Sequence, residues 1–434
     1  NKFGNYFAWT QENGDPIPIA PSNPVALLNQ TSDESDVNRF IGNAKFDYKL
    51  HFLPELSFKL NLGYDYSESE GTYYVPPQAS WAYQALYDGG TNRQYDQTKK
   101  HELLDFYANY NNEFGINKVD ITAGYSYEHF WRQGNSYETN AGTDTTVVYN
   151  DTDYETENYL VSVFGRLNYT LANRYLFTFT LRQDGSSRFA EDNRWGLFPS
   201  AAFAWKINEE PFLQSVDGLT ELKLRLGYGV TGQQNISAND YPYLARYTYS
   251  EETAQYQLGN QYYTTLRPEG YDANLKWEET TTYNVGLDYG FANDRIIGSF
   301  DWYFRETEDL INTIPVPAGT NLTNRIMTNV GTMENTGIEV GLTVRPLVTK
   351  DFFWEVSGNV THNENTITKL TNVDDPNYDG VLTGGIAGGV GNTIQIHSVD
   401  YPRSTFYVLE QVYDENKNPI EGAYVDRNED GIIN

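Results

Sequence analysis

YLFTFTLRQDGSSRFAEDNRWGLFPSAAFAWKINEEPFLQSVDGLTELKLRLGYGVTG, residues Tyr175–Gly232, holds three strand-like runs that decide how the chain is read. In the first, Tyr175, Phe177, Phe179 and Leu181 alternate with Leu176, Thr178, Thr180 and Arg182, the period of two of a β-strand with one apolar and one mostly polar face. The second places Ala201, Phe203, Trp205 and Ile207 on one face. The third sets Leu222, Leu224, Leu226, Tyr228 and Val230 against Glu221, Lys223 and Arg225. An apolar band backed by a charged face is the pattern of a barrel wall in lipid.

The same alternation extends outward in both directions. Upstream it runs through Phe40–Leu50 and Phe58–Tyr66, then Leu104–Tyr110 and Val119–Tyr127, then Tyr159–Leu171. Downstream it returns at Tyr283–Tyr289, Ile296–Phe304, Ile338–Val344 and Phe352–Val360, with a last candidate near Thr405–Tyr413. The links alternate in length. HFLPE, GINK (Gly115–Lys118), Ala172–Arg174, FAND and PLVTKD are short, whereas Glu68–Lys99, the stretch up to Glu157, the stretch from Thr231 to Trp277 and the Gly-rich Asp374–Asp400 are long. Outer-membrane barrels separate periplasmic turns from extracellular loops in this way. A β-sandwich or propeller has period-two strands too, but less reason to keep every second link very short. The reading is therefore an all-β, transmembrane antiparallel β-barrel of about thirteen strands, part of a larger barrel because open edges in hydrocarbon leave backbone groups unsatisfied.

Composition narrows the classes. With 36 Tyr, 22 Phe and 8 Trp the chain folds, and 36 Gly and 17 Pro punctuate it like a hairpin-rich protein. The mean hydropathy is −0.61 and no apolar run approaches the length of a membrane helix, which strands of about 9–11 alternating residues do not require. A net charge of −29 makes nucleic acid a poor partner. The absence of Cys excludes disulfides and thiolate chemistry. Residues 1–37, with Pro16, Pro18, Pro21 and Pro24, read as a loop segment, 38–413 as barrel strands and loops, and 414–434 as a loop ending in an Asp/Asn-rich turn. No leader pattern opens the chain and it stops inside a turn, so a fragment is expected.

Leu181–Leu213 followed by LKLRLGYGVTGQQNI, Leu222–Ile236, resembles the SusC/RagA family of TonB-dependent outer-membrane transporters of Bacteroidetes. NPVALL at Asn23–Leu28, RFIGNAKFDYKL at Arg39–Leu50, NVGTMENTGIEVGL at Asn329–Leu342 and DRNEDGIIN at Asp426–Asn434 are similar to it as well, in the family's order. The resemblance implies a barrel of about 22 strands with an N-terminal plug. It also implies nutrient import across the outer membrane of a Gram-negative bacterium, energised by TonB and assisted by a SusD-like surface lipoprotein, for an oligosaccharide or oligopeptide. The plug, the TonB box and the terminal strands lie outside this sequence. Two other readings stay open: a surface glycan-binding β-protein without transport, and a passive porin.

Trp81, Tyr83, Tyr241, Tyr243, Tyr247, Tyr262 and Tyr263 sit in the long links, where flat rings offer stacking faces for sugar or peptide, or pack the loops themselves. Asp426, Asn428, Asp430 and Gly431 fit the first half of a calcium loop, with Asn434 at the ninth position; an Asx-rich turn without metal is the favoured reading of the same residues. Arg182, Asp184, Arg188, Asp192 and Arg194 form a charged cluster expected to pair internally. No cofactor is expected beyond that Ca²⁺. The five His are scattered and no HExxH, GxSxG or P-loop occurs, so an enzyme is not expected.

Overall fold

A computed structural model describes residues 2–83, 89–142, 150–235, 240–250, 254–316, 319, 323, 325–371, 378–386, 393–427 and 431. Its frame is one twelve-stranded antiparallel sheet. The first eight wall strands are β1 (Ser32–Leu50), β2 (Leu53–Val75), β3 (Thr91–Phe114), β4 (Asn117–Thr139), β5 (Asn150–Leu171), β6 (Tyr175–Ser186), β7 (Trp195–Lys206) and β8 (Leu219–Gln233). Four short strands follow in the long link: β9 (Tyr247–Tyr249), β10 (Gln255–Leu258), β11 (Gln261–Thr264) and β12 (Leu266–Pro268). The wall resumes with β13 (Glu278–Phe291), β14 (Ile296–Pro315), β15 (Arg325–Val348) and β16 (Phe353–Lys369). Each wall strand pairs with its predecessor in the wall, β13 joining directly to β8 across the long link.

Register turns the sequence alternation into a surface. One rung passes through Val119, Tyr169, Phe177, Phe203, Leu226, Val285, Trp302 and Ile338, one residue from each of eight neighbouring strands. Phe46, Phe106, Phe179, Leu226, Phe300 and Val340 stay exposed on this face, which is the arrangement of a wall whose outer solvent is lipid. The opposite face is polar and cross-linked. Arg225 lies between Asp288 and Asp301 at 2.8 Å from each, and Lys223 adds a 3.1 Å contact to Asp288. Gly286 makes room for that guanidinium, since a Cβ there would stand 2.6 Å from the Arg225 Cζ.

Several expectations need correction. Among the described residues the wall has twelve strands, close to the expected number of about thirteen, because the candidate near Thr405–Tyr413 is split between other small sheets. β17 (Val381–Gly385), β18 (Thr393–His397) and β19 (Thr405–Phe406) form one, and β20 (Gln411–Tyr413) pairs with β21 (Pro419–Tyr424) in another. The wall strands thus end at Lys369, and 414–434 is not all loop. Residues 1–37 hold a helix, α1 (Pro24–Gln30), and the start of β1. Pro24 opens that helix instead of breaking it: it sits in the first turn, where no N–H is needed, and the Asn23 side chain accepts from the Val25 and Ala26 amides. Glu68–Lys99 is mostly strand, with Glu70 opposite Asp96 and Tyr73 opposite Arg93. Beyond the apolar band both faces meet water, so the hydrophobic period vanishes while backbone pairing continues.

The two rims differ in kind. At one end the strands join through 51–52, 115–116, 172–174, 292–295 and 349–352, with consecutive positive φ at Ala172 and Asn173 closing one tight turn. The longer link 207–218 at this end is tied to the wall by Glu210, whose carboxylate accepts from the Tyr175 hydroxyl, from Trp205 Nε1 at 2.9 Å and from Arg174 Nη1 at 2.9 Å. These donors hold the Glu210 carboxyl below its ordinary value near 4.5, the Tyr175 hydroxyl first. A depressed folded value means stability that is present above the unfolded value and lost as pH falls through the folded one. Thermal unfolding scans should therefore show an acid-side loss of stability beginning below about pH 4.5. Glu210→Gln should weaken that loss; an unchanged acid limb would reject the role.

Candidate functional site

At the long-loop end, the polar face of β1–β5 carries two adjacent rungs of unusual composition. The first reads Arg39, Ser67, Lys99, Arg132, Thr156 across the five strands. The second reads Ile41, Asp65, His101, Phe130, Asn158. Arg39, Lys99 and Arg132 thus stand on three of four neighbouring strands, with Lys99 and Arg132 directly opposite each other. His101 stacks on Phe130 at 4.2 Å and lies 3.1 Å from Glu128.

Loops roof these rungs. Asp240, in the long link between β8 and β13, is 1% exposed and binds four donors. They are Arg188 Nη2 at 2.7 Å, Thr156 Oγ1 at 2.8 Å, Asn158 Nδ2 at 3.0 Å and Arg132 Nη2 at 3.4 Å. A buried carboxylate is tolerated only with such partners. Arg188 also donates to Asn235 at 2.9 Å, which draws the 187–194 turn to the same point. The far end of the long link is held by packing. Leu275 and Trp277 bury against Phe189 and Phe198, with Trp277 Nε1 donating to the Arg194 carbonyl at 3.0 Å. Wall and roof border a half-open cavity of about 620 Å³ lined by Arg39, Asp65, Lys99, His101, Phe130, Arg132, Asn158, Arg188 and Asp240 among others.

The residues singled out from sequence fall elsewhere. None of the seven aromatics lines this cavity. Tyr83 donates to Asp15 at 2.7 Å, packs edge-on against Phe3 and lies under the Lys2 ammonium at 4.6 Å, so it fastens the N-terminal segment. Trp81 lines a separate cleft of about 320 Å³ with Trp9, Pro16 and Ile17. The Tyr241 hydroxyl accepts from the Glu157 amide at 3.4 Å, and Tyr243 is half-buried. Tyr247, Tyr262 and Tyr263 are exposed on two hairpins, β9 with β12 and β10 with β11. The charged cluster is corrected in part: Arg182 pairs with Asp184 at 2.7 Å, but Arg188 reaches out to Asp240. Phe189, inside what reads as a solvated charged loop, is fully buried. For the calcium pattern, Asn428, Asp430 and Asn434 lie outside the described residues, and Asp426 accepts from the Gly431 amide at 2.8 Å, an Asx-type contact.

Sequence reasoning missed the two rungs because they are assembled by register. Their members come from segments up to 119 positions apart, from Arg39 to Asn158, and each alone is an ordinary polar residue. The available signal was the run Gln97–His101, where basic residues occur at the end of the apolar alternation.

Comparison with known proteins agrees with this architecture. The family model described as "TonB dependent receptor-like, beta-barrel" matches residues 1–430. The chain is 47% identical to the TonB-dependent receptor SusC of Bacteroides thetaiotaomicron over 96% of its own length and 42% of that protein's. It is 32% identical to TonB-dependent receptor P3 of Formosa agariphila, over 81% of this chain and 35% of that one. It therefore spans less than half the length of these relatives. Among solved structures, the RagAB peptide importer in its open-open state superposes with a TM-score of 0.75 at 22% identity, covering 94% of this chain and 44% of that one. That likeness concerns the fold. With a matched family model over nearly its whole length and a twelve-stranded wall of the corresponding kind, the chain belongs to the TonB-dependent receptor-like β-barrel family.

Proposed function

We propose that this chain forms wall and loops of a SusC-like importer in the outer membrane of a Gram-negative bacterium. In this reading the importer takes up an oligosaccharide or oligopeptide under TonB control, with a SusD-like lipoprotein over its long-loop end. The observation that carries the reading is the family match across residues 1–430 on a sheet with one lipid-type apolar face. The 47% identity to SusC supports a nutrient importer, and RagAB, a peptide importer by its description, keeps peptides within the substrate range. Substrate contacts would come from the roofed polar site. The exposed face of Tyr247, Tyr249 and Leu266 offers apolar area to a lid. Binding and release, not bond chemistry, is the work assigned to these residues.

Uptake of labelled oligosaccharides and oligopeptides by cells carrying the intact protein tests this. Import should stop with an uncoupler and in cells lacking TonB. Uptake indifferent to both would indicate a passive pore, and surface binding without uptake a display protein.

A further inference from the structure

Resting on the importer reading, we propose that the roofed site at the long-loop end of β1–β5 selects ligands bearing a carboxylate, which docks on Lys99 and Arg39. The argument is an accounting of donors and acceptors. Both oxygens of Asp65 are taken by Arg39, through Nε at 2.8 Å and Nη2. Both oxygens of Asp240 are taken by Arg188, Asn158, Thr156 and Arg132. Glu128 is engaged by His101. Each carboxylate at the site is thus already matched by a basic partner, Asp65 by Arg39, Asp240 by Arg188 and Glu128 by His101, while the Lys99 ammonium and Arg39 Nη1 have no partner among the described residues.

Placement points the same way. Lys99 lies directly opposite Arg132 in the register; Arg132 is answered by Asp240 at 3.4 Å, whereas Lys99 has no carboxylate partner among the described residues. This concentration of cations occurs in a chain of net charge −29, so it is a local inversion of the overall field. Neighbouring strands are spaced about 4.8 Å apart, so Arg39, Lys99 and Arg132 span roughly 14 Å along one rung, and the cavity of about 620 Å³ admits a small oligomer beside them. A carboxylate accepts from both free donors with charge assistance, which the hydroxyl or amide oxygen of a neutral ligand lacks.

A carboxylate can come from a uronate sugar or from a peptide C-terminus, and paired probes separate the two. The intact protein in detergent is titrated with an oligogalacturonate and a matched neutral galactose oligomer. In parallel it is titrated with an oligopeptide free of acidic side chains and the same peptide amidated at its C-terminus. One carboxylate probe should bind at least about tenfold more tightly than its neutral match, and Lys99→Gln should remove that margin while Lys99→Arg keeps it. The exposed position of Lys99 lets both variants fold. The proposal is overturned if neither carboxylate probe exceeds its neutral match, or if the margin survives Lys99→Gln. Gradient-dependent import of neutral ligands with no carboxylate margin overturns this inference and leaves the importer reading standing. A carboxylate margin with uptake indifferent to the gradient does the reverse.

Discussion

Asp240→Ala is expected to release the long link between β8 and β13 from the wall and open the roofed site, without unfolding the wall itself. The carboxylate is buried, and its removal strands the Arg188 guanidinium, whose side chain is 12% exposed and which, among the described residues, otherwise bonds to Asn235. Breaking a buried, hydrogen-bonded pair in this way costs about 3–5 kcal/mol, which shifts a docked-to-released equilibrium by more than about a hundredfold. Arg246 and Arg267 lie in the link that would be freed, so limited trypsin digestion reads the change directly. Cleavage there should accelerate steeply while the heat-modifiable gel migration of the wall is kept. Asp240→Asn should fall between, since it retains one acceptor oxygen, for Thr156 or for Asn158, but not the charge. Digestion at the wild-type rate would show that Leu275 and Trp277 hold the link alone.

The second large effect concerns the two faces of the wall. Leu226 sits in the apolar rung between Phe203 and Val285, and Leu226→Arg would place a cation toward lipid at a cost of about 2–4 kcal/mol near the bilayer midplane. The paired control is Asn284→Lys on the opposite face. Asn284 lies opposite Gly227 and donates to Asp301 at 3.3 Å, so an added cation there meets the Asp301 carboxylate beside Arg225. That variant should stay within about 0.5 kcal/mol of the parent. Unfolding in lipid vesicles by denaturant, followed by gel migration, compares the pair. Equal tolerance of both substitutions would reject the assignment of faces.

Reading the chain from sequence worked where the physics is local. Tyr175–Leu181 and Leu222–Val230 proclaim their apolar face by alternation, and the short links at 115–116, 172–174 and 292–295 follow from turn chemistry. It failed where alternation stops carrying information. β2 and β3 run far past the apolar band with polar residues on both faces, so their upper halves look like loop. Thr405–Tyr413 has strand composition but pairs away from the wall. Phe189 is an anchor that the sequence does not announce, because nothing in SSRFAEDNRW indicates that Trp277 will pack against it from 88 residues downstream.

The sequence by itself determined the class of the protein: an antiparallel wall with one apolar face and alternating short and long links. Period two and turn residues act between near neighbours and leave their mark in the text. Only the tertiary structure decided where ligand chemistry gathers. Arg39, Lys99, Arg132 and Asp240 meet through strand register and through the docking of a link that begins more than 100 residues after β3. Such meetings are set by non-local backbone pairing and by the burial of one carboxylate, neither of which any single segment encodes.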